Sequence, residues 1–380
     1  MLWNGTTPAL PPPTGEGNGD RVYIDDKLVI DDWRLARAFE PHLTMPLTAG
    51  MHKVVVESWQ RGFFGGKLRL GIVPLNQVVN ERAKQLAAKA DVVIVAAGYS
   101  TTRDNESEGE GGDRTFDLPF GQDALIQAMA ATNPRTVVTV TSGGNVDSQS
   151  WIAQVPAWVE GWYGGQAGGQ AIAEILFGDV NPSGHLPATF ERRAEDNPTF
   201  ANYYPPTDSG PDAIKVFYKE GIFVGYRGYE QNNVAPLFPF GFGLSYTTFR
   251  LSNLQVGPAS GTGGAGTGSG PTLATATFDI TNTGSRAGAE VAQLYISDTH
   301  AKVPRPKHEL KGFERVQLDP GETKHVTIAL DGRAFAYWNE KAKRWTIDPG
   351  HFMISVGDSL ASLPLTGAVE INREAAAMLQ

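Results

Sequence analysis

The sequence contains no cysteine. That removes disulfides, thiolate nucleophiles and Cys-ligated zinc together, although it does not fix the compartment. No apolar run approaches the ~20 residues needed to span a bilayer, so no membrane partner is expected. Positive charge is also short: 32 Lys and Arg stand against 41 Asp and Glu, a net charge of −9. Nucleic-acid binding needs a basic footprint, so that class of partner is set aside. The 7 histidines are scattered, with no metal-ligand spacing such as HxxxH, and no GxSxG elbow marks a hydrolytic serine. Met1-Leu2-Trp3-Asn4-Gly5 offers neither the basic nor the apolar region of a signal peptide, which leaves localisation open.

Glycine, by contrast, is abundant at 44 of 380 residues, and 41% of the chain is apolar. The apolar share suffices for packed cores and is too high for a disordered chain; the length suits roughly two or three domains. Residues 21–33 hold two β-rich runs around Asp25-Asp26, a hairpin signal, and 52–59 and 67–73 continue the pattern. These few strands suggest part of a β-sandwich. From about residue 76 the pattern changes. A helical stretch at 77–90 leads into the Val-rich run 91–98, and a helix at about 120–131 leads into a second such run, 136–144. Val-Pro-Ala-Trp-Val-Glu-Gly-Trp-Tyr, 155–163, then precedes a helix at about 166–177. Continuous apolar strands alternating with helices predict a parallel sheet with helices on both faces. Residues 178–250 carry many Pro and aromatic residues and are expected to be ordered connection with a strand or two. A glycine-rich stretch, 257–270, contains a formal GxGxxG match that no strand precedes and no helix follows. From 272 onward alternating strands separated by turns predict a small antiparallel sandwich, with no helix until the tail.

The chemistry-bearing segment is 98–119. Asp104, Glu106, Glu108, Glu110 and Asp113 crowd into it with Arg103 and Arg114 alongside, directly after the first buried strand. Ligands of parallel α/β sheets bind beyond the carboxyl ends of the strands. A solvated acidic loop is one interpretation. A calcium loop is a poorer one, because the regular Asx spacing and terminal bidentate Glu are missing. A catalytic carboxylic acid is the third: crowded carboxylates raise one another's pKa, whereas the two arginines oppose this wherever they pair. Elsewhere, Trp151, Trp158, Trp162 and Tyr163 suit core packing better than a sugar site; Asp25 and Asp26 suit a turn; and His185 suits a structural role. Trp338 and Trp345 flank Asn-Glu-Lys-Ala-Lys-Arg, a hairpin signal.

At Glu110-Gly111-Gly112-Asp113-Arg114, followed by Asp117-Leu118-Pro119 and Gly121-Gln122, the chain resembles glycoside hydrolase family 3 of the β-glucosidase type. Residues 164–190, 216–230 and 236–249 are similar to that family's α/β-sandwich domain, 308–322 to the fibronectin type III-like domain that follows it, and 21–73 to part of an inserted protective-antigen-type sandwich. The resemblance implies three domains. Residues 1–75 would be a partial protective-antigen-type sugar-binding β-sandwich, 76–250 the family's C-terminal α/β-sandwich domain, and 251–380 a fibronectin type III-like β-sandwich. It implies hydrolysis of terminal β-D-glucosyl residues by a retaining mechanism without a cofactor or metal. The acid/base would be Glu110 counting back from Asp113-Arg114, or Glu108 aligning the string 106–109, with Asp113 and Arg114 binding substrate. The partner molecule would be a β-glucoside or short β-linked oligosaccharide. The family's nucleophilic Asp sits on a (β/α)₈ barrel that no part of this chain resembles, so a barrel from another chain or from upstream sequence is implied. A β-xylosidase portion, or a non-catalytic carbohydrate-binding or assembly fragment, are the alternatives.

Overall fold

The computed structural model describes residues 17–32, 43–61, 70–74, 77–99, 116–203, 217–258 and 271–379. The chain divides into two compact units, 1–168 and 169–380.

The first unit opens with an antiparallel sheet. β1 (Gly17–Ile24) lies between β2 (Lys27–Asp32) and β3 (Val54–Arg61). The hairpin at Asp25-Asp26 forms because both residues accept positive φ, 49° and 64°, as a two-residue primed turn requires. Asp25 is fully engaged there. One carboxylate oxygen lies 2.6 Å from His52 Nδ1 and the other accepts from Lys53 N at 2.9 Å. The turn role therefore accounts for this residue. The expected strand at 67–73 does not appear in its described part: residues 70–74 form none, and Leu70, Ile72 and Val73 are exposed. Apolar β-formers make a strand only when a neighbour completes the ladder.

The α/β part follows. α1 (Glu81–Ala87) is capped by the Asn80 side chain, which accepts from Arg82 N. β4 (Val93–Gly98), β5 (Thr136–Thr141) and β6 (Ala157–Glu160) form a parallel sheet in sequential order. α2 (Gln122–Thr132) packs on β4, β5 and α1. Val138, Val140, Ile126 and Trp151 are completely buried in the core between them. The Trp151 indole donates to Asp123 at 2.9 Å and meets Trp158 edge-on, so its buried polar atom is satisfied and its role is packing.

The second unit begins with α3 (Gly168–Phe177). Among the described residues of the stretch 178–250, where a strand or two is expected, there are α4 (Phe200–Tyr203), α5 (Tyr226–Asn232) and an isolated bridge, Phe190 to Phe238, with no strand before residue 249. Prolines restrict pairing there. α5 is bounded by Gly225 and by Asn233, both at positive φ.

The sandwich has two antiparallel sheets. One contains β7 (Phe249–Pro258), β8 (Thr272–Asn282) and β11 (Thr323–Asp331); the other contains β9 (Gly288–Asp298), β10 (Glu309–Leu318), β14 (Gly350–Gly357) and β15 (Leu365–Ile371). Phe278, Ile280, Leu294, Ile296, Leu330, Phe352 and Ile354 fill the space between. The hairpin of β12 (Tyr337–Asn339) and β13 (Arg344–Thr346) pairs Trp338 with Trp345. A four-residue α6 (Gly332–Phe335), capped by Asp331, interrupts the strands, and α7 (Arg373–Ala377) ends the described chain. The short α6 departs from the expectation of no helix before the tail: the Asp331 cap supplies a partner for an otherwise orphaned N–H.

β9 shows little of the alternation of a half-exposed strand. Its inward residues face the sandwich core, while outward-facing Gln293 and Tyr295 are covered by the preceding connection. Gln293 Nε2 donates to Gly241 O at 3.0 Å, Tyr226 meets Tyr295 edge-on, and His185 Nε2 lies 3.2 Å from Glu290. His185 is thus a structural residue. Glu230 lies 2.6 Å from His308 and Tyr226 Oη accepts from Leu310 N, which ties α5 to β10.

Candidate active-site edge of the parallel sheet

The candidate site is the carboxyl edge of β4–β5–β6. Glu108, Glu110, Asp113 and Arg114, together with Glu106, lie outside the described residues, as does the GxGxxG match. What can be built is the frame that holds the flanks of that segment.

β4 ends at Gly98, whose φ of +133° and close approach to Thr141 leave no room for a side chain: a Cβ would fall on the Thr141 carbonyl oxygen. The Gln122 side chain grips this residue twice. Its Oε1 accepts from Gly98 N at 2.7 Å and its Nε2 donates to Gly98 O at 2.9 Å. Buried Tyr99 donates its N–H to Thr141 O at 2.9 Å and its hydroxyl to Asp117 O at 2.6 Å. Asp147 N in turn donates to Phe116 O at 2.8 Å. The backbone just before and just after residues 100–115 is therefore fixed to one small area at the sheet's carboxyl edge.

β5 and β6 supply the rest of that edge. Ser142 is completely buried, its Oγ 2.6 Å from Gly144 O and 3.2 Å from Glu160 Oε1. Glu160 Oε1 also accepts from Trp162 N at 3.2 Å, and Trp162 holds a positive φ of 48°. A carboxylate that takes a backbone N–H helps hold a bulky residue in a region it otherwise avoids. Trp158 and Trp162 are half-buried and Tyr163 is 47% exposed.

Ser142, Glu160 and the grip of Gln122 were not singled out for chemistry in the sequence. The available signal was an acidic residue at the carboxyl end of a short strand inside an aromatic run, 155–163. Among the described residues no group of three or more His, Asp and Glu is gathered as a metal site would require, and no helix is long and apolar enough to cross a membrane.

Residues 23–246 match the family model for the glycosyl hydrolase family 3 C-terminal domain. The chain belongs to glycosyl hydrolase family 3. Within this family-3 chain, residues 290–360 match the fibronectin type III-like domain, so the mixed architecture of a parallel-sheet α/β domain and a β-sandwich is that of the family. Thermostable beta-glucosidase B of Acetivibrio thermocellus is 42% identical over 297 residues, covering 78% of this chain and 37% of that protein. Probable beta-glucosidase K of Emericella nidulans is 38% identical over 381 residues, covering 93% of this chain and 42% of that protein. The crystal structure of the family-3 beta-glucosidase of Bifidobacterium adolescentis superposes with a TM-score of 0.70 at 37% identity, covering 80% of this chain and 42% of that one. The beta-glucosidase of Kluyveromyces marxianus in complex with glucose gives a TM-score of 0.68 at 32% identity, covering 95% and 44%. The chain thus spans about two fifths of the length of these relatives.

Proposed function

We propose that this chain is the acid/base-bearing part of a retaining β-glucosidase that removes terminal non-reducing β-D-glucosyl residues. One observation carries the proposal. The string Glu110-Gly111-Gly112-Asp113-Arg114 lies in a family-3 chain between the end of a parallel strand and Leu118-Pro119. Glu110, or Glu108 in the alternative alignment, protonates the departing glycosidic oxygen. It then acts as base toward the water that releases the glycosyl-enzyme. Asp113 and Arg114 bind the sugar. The nucleophile is an Asp on a barrel outside this sequence, since retention needs a second carboxyl about 5–5.5 Å from the first. In the same proposal residues 1–75 are the partial protective-antigen-type sandwich, 76–250 the α/β-sandwich domain and 251–380 the fibronectin-like domain.

The test is turnover of aryl β-glucosides by this chain alone and mixed with a separately expressed family-3 barrel. The chain alone is expected to be inactive. The mixture should be active, and either Glu110→Gln or Glu108→Gln, but not both alike, should abolish hydrolysis of substrates with poor leaving groups. Robust turnover by the isolated chain would refute the missing-nucleophile part. Activity that survives both substitutions would refute the acid/base assignment. Faster turnover of β-xylosides than of β-glucosides would move the assignment to a β-xylosidase. Glucose binding with no turnover in any mixture would favour a carbohydrate-binding or assembly fragment.

A further inference from the structure

The hairpin of β12 and β13 stands apart from the catalytic proposal and carries features that sandwich packing does not require. Trp338 and Trp345 are directly opposite on its two strands, their rings edge-to-face at 5.7 Å. Trp345 is partly buried against the core, whereas Trp338 is 47% exposed. The Arg333 guanidinium lies over the Trp345 ring, 3.6 Å from its centroid. Beside Trp345 is a groove of about 250 Å³, which Thr346, Ile347, Pro349, Arg373 and Ala376 also line. The Thr346 hydroxyl is buried with no hydrogen-bond partner among the described residues. Such a group is costly to leave unpaired.

The charge of the same neighbourhood opposes that of the whole chain. Arg333, Lys341, Lys343, Arg344 and Arg373 are all exposed around the hairpin, with Glu340 and Glu374 the nearby free acids in sequence. Asp348 is already paired with Lys302 at 3.1 Å. A basic cluster on a chain of net charge −9 is a local departure from its average. Exposed cations within a Debye length of one another sum their potentials toward an approaching anion. Indole rings present flat apolar faces to sugar rings, and guanidinium groups pair with carboxylates in two-pronged geometry. Neutral glucans would use the aromatic surface and leave the cations without purpose.

We propose that this hairpin and groove form a binding site for an acidic oligosaccharide, a chain of uronosyl units. One ring enters the groove beside Trp345 with its carboxylate on Arg373, and the exposed Trp338 with the hairpin lysines engages the next unit. The site lies within the second unit, and the proposal does not depend on the chain being catalytic.

The experiment titrates the full 380-residue chain with trigalacturonate and, separately, with cellotriose, following tryptophan fluorescence and heat, at 20 and 500 mM salt. Trigalacturonate should bind at least tenfold more tightly than cellotriose and lose most of that advantage at high salt. Arg373 is exposed, so Arg373→Glu should weaken trigalacturonate binding at least tenfold while leaving thermal unfolding unchanged. Trp338→Ala should weaken it several-fold. Trp345→Ala should abolish binding; if it also unfolds the chain, Arg373→Glu decides the matter. Equal affinity for the two sugars, no binding of trigalacturonate at millimolar concentration, or an Arg373→Glu variant that binds as well as the parent would overturn the proposal. So would a preference for single-stranded RNA over trigalacturonate at matched salt.

Discussion

β5 in the first unit and β9 in the second are both central strands covered on their two faces, yet they spend polar side chains differently. β5 reads Thr-Val-Val-Thr-Val-Thr, and its only polar side chains are threonine hydroxyls; the carboxylate and amide groups of its region gather beyond its end, at Glu160 beside Ser142 and at the Gln122–Gly98 pairing. β9 carries Gln293 and Tyr295 within its length, where they fasten a long connection to the outer face of the sheet, and Glu290 near its start, 3.2 Å from His185. Polar atoms placed at strand ends shape an edge on which a functional segment stands. Polar atoms placed within a strand hold elements together. The first arrangement should tolerate loss of stability better than loss of shape, and the second the reverse.

The sharpest way to break this contrast is at Arg305. Its side chain is 5% exposed, pairs with Glu309 at 2.7 Å and Asp298 at 3.4 Å, and donates to Phe335 O at 2.9 Å. Lys311 also pairs with Glu309 at 2.9 Å. Burial alone would raise the Glu309 carboxyl, but Lys311 and Arg305 outweigh it and hold its pKa below the ordinary value; burial pulls the Lys311 ammonium down. Arg305→Ala would leave Asp298 without its cation in a low-dielectric setting, and we expect a loss of about 3–5 kcal/mol, read as a lowered denaturant midpoint. An unchanged midpoint would remove the sandwich's half of the comparison.

Gly98→Ala comes next. The added methyl meets the Thr141 carbonyl, and the positive φ is unfavourable to any side chain. Steric and backbone strain together should cost about 2–4 kcal/mol. In a barrel-complemented assay kcat should fall further than global stability explains. A drop in stability with kcat intact would show that the strand end serves packing alone.

How much of this was legible beforehand follows the same division. β4 and β5 were visible as Val-rich runs, and the first hairpin as Asp25-Asp26 between β-formers. α5 was not visible, because Gly228 sits inside Tyr226–Asn232 and glycine argues against a helix. The structure supplies the reason: any side chain there would overlap the Phe223 carbonyl and Pro198. The acidic segment was conspicuous from its carboxylate density, although the two ways of aligning its string leave Glu110 and Glu108 in competition. Gln122 acquires its role by reaching the backbone of Gly98 on β4, and Ser142 meets the Glu160 carboxylate 18 residues away; spacing along one chain does not encode such meetings, whereas the bonds of Ser142 to Gly144 O and of Trp162 N to Glu160 are local.

Gln122→Leu is a milder probe of the edge. It leaves the N–H and C=O of Gly98 without their partner, a cost of about 1–3 kcal/mol. The expected signature is local: faster amide exchange at Gly98 and Tyr99, with the sandwich amides unchanged. Uniform acceleration across both units would mean that the grip supports the whole fold instead of the strand end.

The smallest effect concerns the first hairpin, where the two kinds of polar placement meet in one turn. His52 Nδ1 faces the Asp25 carboxylate at 2.6 Å and Nε2 faces Thr48 O at 2.8 Å. Both oxygens can only accept, so both ring nitrogens must carry protons and the ring is an imidazolium. The Thr48 carbonyl and then Asp25 raise the His52 pKa, while His52 and then the Lys53 amide lower that of Asp25. The Asp25 contribution is complete above the ordinary aspartate value and is lost as pH falls through its depressed one. The His52 contribution is complete below the ordinary histidine value and is lost as pH rises through its elevated one. Protection of the Asp25 amide, which donates to Lys53 O at 2.9 Å, should therefore be greatest between about pH 4 and 6.5 and decline on both sides once intrinsic exchange is divided out. His52→Gln should flatten the alkaline decline and leave the acidic one shallower. A His52 that titrates by NMR at or below the ordinary histidine value would show that the ring is neutral and that the turn is held by its backbone alone.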